Sequence, residues 1–529
     1  MNWFRLWALA LGAMLAACSP SGSDEHLLVL NRGNGSDVKS LDPAFIQGNW
    51  EAWLLGDVIM GLTTEGPRSE PIPGAATGWD VSADGLTWTF HLRKHVWSDG
   101  APVTAADFVT AWRRELDPRI AAPYAYNLWV VKNAYDVSVG KLPPAALGIR
   151  AKDDATLVVQ LEHPAPYLAE LVDHQVAWPI PRHLYLKLGD AWARPKNHVA
   201  NGPYMVKEWV PLDHITLVKN PRFYDAAHVQ IDVVRYFATN DSQAALRRFR
   251  AGELDTVNPF PNQQIDWMRA HMPKALKIVP YLGIAYMVMN FAHAPIRDVR
   301  LREAMNLAMD RENLTRRVRR IGESPAYNMV PPGVANYPGG AAMDFKAMPY
   351  SLRLKKAQSL MQAMGYGPRR HLHLTFTTST NPDSMLNAVN VQAMFSKIYI
   401  DISLDPVENQ IFLVKMQQHD FDLGGASWIA DFNDATNFLD LLRSGAGENY
   451  GQYRNKAYDA VLDKAQNETD PKVRGALLEK AEQMAMDDYA WTPMYFMVTR
   501  DLVQPYVKGW IPNLKDFNRT RWLRLEGKP

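Results

Sequence analysis

Enzymatic chemistry requires a nucleophile, a base or a set of metal ligands at a recognisable spacing, and this sequence offers few such groups. It contains no G-x-S-x-G elbow, no Walker A loop, no glycine-rich dinucleotide motif after a strand and no H-E-x-x-H helix. His91 with His95, and His371 with His373, have spacings that metal sites use, but no carboxylate stands beside either pair at ligand spacing. Carboxylates are plentiful, although sequence alone cannot bring two of them to a glycosidase separation. An enzyme is not excluded, but no pattern argues for one, and we expect no metal and no cofactor.

One segment places an indole and several carboxylates directly after a predicted strand. Residues 422–429 are predicted to form that strand, and Asp431 lies in the loop that follows. Asn433 or Asp434 is predicted to cap a short helix that extends to Leu442. Asp431 is either a further capping carboxylate or a group free to bind a ligand.

Strand and helix signals alternate along the rest of the chain. Residues 86–92 alternate strictly between apolar and polar side chains, which is typical of a half-buried strand. Helices are predicted to begin after Thr104, Asp298 and Asp470, and Pro471 suits a first helical position. This alternation predicts an α/β fold.

Composition and charge exclude several classes of protein. The chain has 529 residues, of which 47% are hydrophobic and 21% charged, so it is globular and long enough for several domains. Its 57 basic and 56 acidic residues give a net charge of +1, which argues against a dedicated nucleic-acid binder.

The N-terminus is predicted to be an export signal that ends at the only cysteine, Cys18. The apolar run at residues 6–16 is too short to cross a hydrocarbon core of roughly 30 Å. Residues 15–18 resemble a bacterial lipobox, which implies a signal peptide at 1–18 and a lipid on Cys18; the alternative is a plain secretory signal. Residues 19–24 are predicted to be a flexible tether. With one cysteine, the chain can form no internal disulfide.

Four segments resemble the extracytoplasmic solute-binding proteins of peptide ABC importers, and the oligopeptide-binding branch is the most similar. They are residues 34–43 with 61–62, residues 88–109, residues 201–224 and residues 294–311. The resemblance runs from about residue 28 to the C-terminus.

This resemblance implies a periplasmic-binding-protein-like fold of cluster C, type II. Two α/β lobes would be joined by a hinge and would close over a ligand, and an extra domain would be inserted. Lobe I would comprise 24–59, 184–283 and 499–529, the inserted domain 60–183, and lobe III 284–498.

The resemblance also implies how a peptide is held. Asp431, in a W-x-x-D arrangement, is expected to bind the peptide α-ammonium. The backbone of Ser427, Trp428 and Ile429 is expected to pair with the peptide, because recognition that tolerates any side chain needs backbone pairing. Trp428 would also line a side-chain pocket; the alternative is a core tryptophan.

Further ligand contacts are implied on the facing side of the cleft. Gln47, Gly48 and Asn49 are expected to supply an opposing backbone edge, and Tyr124 is expected to contact the ligand from the inserted domain. Arg319 matches a lysine that helps to meet the peptide carboxylate; the alternative is a solvated helix end. Gly425 and Met416 stand where relatives have arginines, which leaves the peptide length preference open.

The sequence therefore predicts a monomeric lipoprotein of the periplasm or cell envelope, whose only membrane contact is its lipid anchor. It would capture oligopeptides and deliver them to the permease subunits of an ABC importer, with no nucleic-acid partner. The alternatives are a binder of the same fold for a murein peptide, an oligosaccharide, a nickel complex or haem, or else a surface hydrolase or adhesin.

Overall fold

The structure, a computed structural model, describes residues 27–258 and 260–528. The predicted signal peptide, Cys18 and the tether lie outside the described residues. None of the helices in the described ranges is long and apolar enough to span a bilayer. The predicted α/β class is confirmed, because strands and helices alternate around one large mixed sheet.

The strands of the described residues are, in chain order, β1 (Val29–Gly33), β2 (Thr63–Glu65), β3 (Pro71–Pro73), β4 (Ala76–Val81), β5 (Thr87–Leu92), β6 (Ile149–Asp153), β7 (Thr156–Gln160), β8 (Tyr204–Val210), β9 (His214–Lys219), β10 (Val233–Phe237), β11 (Thr256–Val257), β12 (Leu276–Met289), β13 (Ser324–Pro325), β14 (Leu372–Ser379), β15 (Ile400–Val407), β16 (Leu423–Ile429), β17 (Thr492–Val503), β18 (Val507–Lys508) and β19 (Arg524–Leu525).

The α-helices of the same residues are α1 (Asn49–Val58), α2 (Ala105–Glu115), α3 (Ala134–Ser138), α4 (Leu168–Leu171), α5 (Arg182–Leu188), α6 (Ser242–Arg250), α7 (Ile265–His271), α8 (Val299–Ala308), α9 (Arg311–Asn313), α10 (Tyr350–Ala363), α11 (Pro382–Phe395), α12 (Asn409–Gln417), α13 (Thr436–Leu439), α14 (Lys456–Gln466) and α15 (Pro471–Asp487). Leu314–Arg319 form a π-helix directly after α9.

One sheet of eleven strands runs through the molecule in the order β15-β14-β16-β12-β17-β11-β1-β10-β9-β8, with β13 added beside β17. The β1–β10 and β14–β15 pairs are parallel, and the pairs at the centre, β16–β12 and β12–β17, are antiparallel. A separate four-stranded sheet, β4-β5-β7-β6, lies within residues 76–160.

Two long strands, β12 and β17, connect the two ends of the large sheet. Their pairing runs from Leu276–Leu502 to Pro280–Val498, shifts its register, and resumes from Ile284–Phe496 to Met287–Thr492. A register shift of this kind bends a strand pair and interrupts its ladder. The sheet is therefore irregular at two neighbouring points, over residues 280–284 and again between Ala285 and Tyr286, where the chain passes between its two ends.

The apolar core is divided at the same place. One cluster of buried side chains draws its members from residues 282–496, and another draws them mainly from 30–236 and 503–523. A third and smaller cluster draws them from residues 245–275 and Leu502. The second cluster spans both the predicted lobe I and the predicted inserted domain, which therefore share a core. Phe432 also joins this second cluster and stacks on Tyr167, with 4.6 Å between ring centroids.

The predicted helix starts follow from local capping chemistry. At α2 the N–H of Thr104 donates to the carboxylate of Asp107 at 2.7 Å, as in a capping box. Asp298 accepts the N–H of Arg300 at the start of α8. At α15 the carboxylate of Asp470 accepts two N–H groups and Pro471 occupies the first position.

Replacing Asp470 with alanine is expected to destabilise the protein by about 1 kcal/mol. The carboxylate accepts the N–H groups of Lys472 at 2.8 Å and Val473 at 3.1 Å, and alanine leaves both without this acceptor. Urea denaturation of the two proteins measures the difference. Asp470→Asn, which keeps a capping oxygen, is the control, and equal losses in both variants would contradict the capping argument.

Candidate functional site

The strand β16 has one edge that is largely free. On one side it pairs with β12 along its whole length, from Leu423–Met289 to Ile429–Gly283. On the other side it pairs with β14 only at Leu423 and Gly424. Among the described strands, none covers the second edge of residues 425–429, which include Ser427, Trp428 and Ile429. Such an edge can pair with the backbone of an added extended segment.

The side chain of Asp431 lies just beyond the end of this edge and accepts hydrogen bonds from the inserted region. Its Oδ2 accepts the hydroxyl of Tyr126 at 3.3 Å and the amide of Asn127 at 3.2 Å. Burial raises the pKa of Tyr126, so its phenol stays protonated and donates to the carboxylate.

The carboxylate of Asp431 has no cationic partner among residues 27–258 and 260–528. Within the described residues no lysine, arginine or histidine forms an ion pair with it, and all its hydrogen-bond donors are neutral. Burial raises the pKa of Asp431 to about 6, although the bonds from Asn127 and Tyr126 oppose the rise. A desolvated carboxylate held only by neutral donors attracts a cation that the protein does not itself supply.

Asn437 connects Trp428 to Asp431. Its Oδ1 accepts the indole N–H of Trp428 at 2.8 Å and the backbone N–H of Asp431 at 3.2 Å. Trp428 is only half-buried and lines two cavities, so it is not a tryptophan enclosed in the core. Asn437 therefore fixes the orientation of the indole and the position of the carboxylate together.

A chain of aromatic contacts joins Asp431 to residues 47–49. The ring of Tyr126 lies 5.9 Å from that of Tyr124, and the hydroxyl of Tyr124 donates to the carbonyl of Gln47 at 3.4 Å. The amide of Asn49 donates to the hydroxyl of Tyr281 on β12 at 2.7 Å. The structure thus places Tyr124, Gln47 and Asn49 on the same side of the molecule as Asp431.

The segment at residues 47–49 is a helix start with little free backbone. Gly48 is the N-cap of α1, and the carboxylate of buried Glu51 accepts the N–H groups of both Gln47 and Gly48 at 2.9 Å. A side chain at Gly48 would collide with the ring of Trp50, which lies 2.4 Å from the ideal Cβ position. That these residues present a backbone edge to a ligand stays a prediction.

Arg319 lies at the other end of the open edge and is not a solvated helix end. Its side chain is buried, donates to Glu323 at 2.8 Å and Asp383 at 3.3 Å, and covers the ring of Tyr495. The predicted alternative of a solvated position is therefore wrong. The ligand role stays a prediction, since two carboxylates already balance the charge.

Two cavities adjoin the open edge. The larger cavity, of about 800 Å³, is lined by residues of the predicted inserted domain and of the predicted lobe III, including Tyr126, Asn127, Trp428 and Asn437. The smaller cavity, of about 430 Å³, is lined by Ser427, Trp428 and Arg319 among others. Trp428 lines both cavities, so a group bound in either cavity can contact its indole.

The predicted helix caps after Asp431 need correction. Asn433 caps no helix, because its side-chain oxygen accepts the N–H of Ala335 instead. Asp434 accepts the N–H and hydroxyl of Thr436, at 3.0 and 2.6 Å, but its carboxylate is held mainly by a buried pair with Arg474. The helix itself is a short α13 followed by a 3₁₀ turn to Leu442.

Three residues that hold the site are not predicted from the sequence. Tyr126 and Asn127 follow Tyr124 closely, and the aromatic run around them was the available signal for a binding surface. Asn437 lies inside the predicted short helix, where nothing in the sequence shows that its side chain turns back toward Trp428.

The site holds the groups needed to bind a cation and an extended backbone. Within the described ranges no group of three or more His, Cys, Asp or Glu residues is placed to hold a metal ion. His91 contacts Asp80 at 2.7 Å, and Asp401 contacts both His371, at 2.9 Å, and His373, at 3.6 Å.

Comparison with known proteins decides the family. The sequence profile of "Bacterial extracellular solute-binding proteins, family 5 Middle" matches residues 70–450. The chain belongs to this family. Its members are solute-binding proteins and not enzymes. The structural neighbours of this chain are type II periplasmic binding proteins.

Named relatives share nearly the whole chain. The periplasmic oligopeptide-binding protein OppA of Salmonella typhimurium is 35% identical over 95% of this chain and 93% of its own length. The probable deoxycholate-binding periplasmic protein YgiS of Escherichia coli is 33% identical over 94% of each chain. The crystal structure of Haemophilus influenzae OppA in complex with RPPGFSPFR has a TM-score of 0.84 and 32% identity, and covers 95% of this family 5 protein and 99% of its own chain.

Proposed function

We propose that this protein captures oligopeptides between two lobes and delivers them to an ABC importer. The observation that carries the proposal is Asp431, a desolvated carboxylate without a cationic partner in the described chain, at the end of the free edge of β16. The peptide α-ammonium would bind Asp431, and the peptide backbone would pair with Ser427, Trp428 and Ile429 as an added strand.

The lobes of the proposal are those that the sequence suggests. Lobe I comprises 24–59, 184–283 and 499–529, the inserted domain 60–183, and lobe III 284–498. The separate apolar clusters support a division, as does the shifted register between β12 and β17 near residues 280–284. Asn127 and Tyr126 contact Asp431 across the proposed cleft, so the carboxylate that would bind the ammonium also joins the two sides of that cleft.

The relatives support a peptide as the ligand. OppA of Haemophilus influenzae is solved with the peptide RPPGFSPFR, and this complex shares the fold over nearly the whole chain. A relative named for deoxycholate shows that the fold also accepts other molecules. An anionic ligand such as deoxycholate is disfavoured at this site, because Asp431 would repel its carboxylate. Peptides with a free amino terminus remain the ligand that the geometry favours.

The proposal includes export and anchoring. The periplasmic relatives support a location outside the cytoplasm, in the periplasm or cell envelope. A lipid on Cys18 would hold a monomeric body at the membrane, and the permease subunits of the importer would be its protein partner. The lipobox at residues 15–18 is the support for the anchor.

Native mass spectrometry of the exported protein, purified without added ligand, tests the proposal. A series of peptides released on denaturation is the expected result, and the same sample reports whether Cys18 carries diacylglycerol. A single sugar, metal complex or sterol would overturn the peptide assignment. If the protein is empty, a thermal-shift series with free and N-acetylated peptides decides the question, and stabilisation by neither would also overturn it.

The affinity for a peptide with a free amino terminus is expected to fall as the pH drops below about 6. The pKa of Asp431 is raised to about 6 by burial, Glu448 adds to the rise, and hydrogen bonds from Asn127, Tyr126 and Asn437 oppose it. At lower pH the ammonium must displace a proton, so the loss approaches tenfold per pH unit. Calorimetric titrations across this range measure it. Asp431→Asn should give a flat profile, and a flat profile in the unchanged protein would contradict the assignment.

A further inference from the structure

The larger cavity continues directly from the site around Asp431. Tyr126 and Asn127, which donate to Asp431, are part of its wall, and so are Trp428 and Asn437, which orient the site from the other side. Any residue whose α-ammonium lies at Asp431 therefore has its side chain at the entrance of this cavity.

The wall of the larger cavity carries more negative than positive charge. It includes the carboxylates of Glu115, Asp117, Glu162, Asp440 and Glu448, against a single arginine, Arg443. That guanidinium already pairs with Asp440 at 3.0 Å and with Asp463 at 2.5 Å. Asp117 pairs with Arg119, and Glu162 accepts the backbone N–H of Asn133.

Two of these carboxylates have no partner among the described residues. Glu115 is only 6% exposed, and its carboxylate neither accepts a hydrogen bond nor forms an ion pair there. Burial raises its pKa to about 8, the nearby carboxylate of Asp42 adds to the rise, and the guanidinium of Arg114 opposes it. Glu448 is half-buried and likewise unpaired, and burial raises its pKa as well. A buried polar group ordinarily has a hydrogen-bond partner. These two carboxylates have none among the described residues, so a ligand can provide a donor.

The cavity wall also presents aromatic surfaces. Trp129 and Tyr126 lie on the side of the inserted region, and Trp428, Tyr167 and Phe432 complete the wall, the last two as a stacked pair. Aromatic faces attract ammonium and guanidinium groups, most strongly where water is excluded. Unpaired carboxylates with aromatic rings are therefore suited to an organic cation with an apolar stem.

We propose that the larger cavity receives the basic side chain of the N-terminal residue of the bound peptide, so that the protein prefers peptides that begin with lysine or arginine. This inference rests on the proposed function, because Asp431 must hold the α-ammonium of the same residue. The four-carbon stem of lysine would lie against Trp428 and Tyr126, and its ammonium would meet Glu448, the carboxylate whose charge reaches Asp431.

The test compares two tripeptides that differ in one charge. Lys-Ala-Ala and norleucine-Ala-Ala have side chains of similar length, and only the first is cationic. Calorimetric titration of the whole protein at pH 7 is expected to show tighter binding of the lysine peptide by about tenfold. Equal affinities would overturn the inference and leave the proposed function intact, whereas binding of neither peptide would refute the proposed function itself.

Two variants locate the preference in the cavity. Glu448→Gln is expected to reduce the preference for lysine several-fold while the affinity for the norleucine peptide stays the same. The norleucine affinity shows that the variant is folded. Glu208→Gln, on the exposed part of β8, is the matched control and should keep the full preference. A full preference in Glu448→Gln would overturn the inference.

Discussion

Replacing Asp431 with alanine is expected to weaken the binding of a peptide with a free amino terminus by at least about a hundredfold. The substitution leaves a desolvated ammonium without its carboxylate, and breaking a buried pair in this way costs about 3–5 kcal/mol. Each 1.4 kcal/mol corresponds to about a tenfold change in the dissociation constant. Isothermal titration with one defined tripeptide measures the change.

Two controls separate the loss of the charge pair from a general disturbance of the site. An N-acetylated peptide has no ammonium, so the unchanged protein and the variant should bind it with similar, weak affinity. Asp420→Asn removes an exposed carboxylate just before β16 and should leave binding unchanged. Equal affinities of the alanine variant and the unchanged protein for the free peptide would refute the ammonium site.

Replacing Arg474 with methionine is expected to destabilise the protein by about 3–5 kcal/mol. The guanidinium is 3% exposed and donates to both oxygens of Asp434, at 2.7 and 2.9 Å. Methionine would leave that buried carboxylate without a counter-charge. Thermal and chemical denaturation measure the loss, and peptide affinity should also fall, because Asp434 holds the loop that carries Asp431.

The double variant tests the electrostatic origin of this effect. Asp434→Asn removes the second charge but keeps an oxygen for the N–H of Thr436. Arg474→Met combined with Asp434→Asn is therefore expected to be more stable than Arg474→Met alone. A double variant that is less stable than the single one would show that packing, and not the uncompensated charge, dominates the loss.

Local chemistry explains which parts of the fold the sequence predicts well. Residues 86–92 alternate in polarity, and the structure has β5 at Thr87–Leu92. The capping residues Thr104, Asp298 and Asp470 each precede a helix at the predicted place. These features depend on groups within a few residues of one another, so a single sequence contains all the information that they need.

The partners of the site residues lie far away along the chain, which is why the sequence does not predict them. Asp431 could be predicted as a site residue from the residues of its own loop. Tyr126, which donates a hydrogen bond to it, is 305 residues away along the chain. Arg319 shows the same limit. Its partner Glu323 is four residues away along the chain. Asp383 is 64 residues away along the chain and comes into contact with Arg319 only when the chain folds. Burial by distant segments thus rules out the solvated helix end that the sequence left open as the alternative for Arg319.

The register shift between β12 and β17 has a consequence for selectivity. If the lobes move about this point, the fraction of molecules in the binding-competent form depends on the strand pair and not on the ligand. The apparent dissociation constant of every ligand is then divided by the same fraction. A substitution at residues 280–284 would therefore change all affinities by one common factor and leave the ranking of peptides as it was. Strength of binding and choice of ligand can accordingly evolve through separate parts of this molecule.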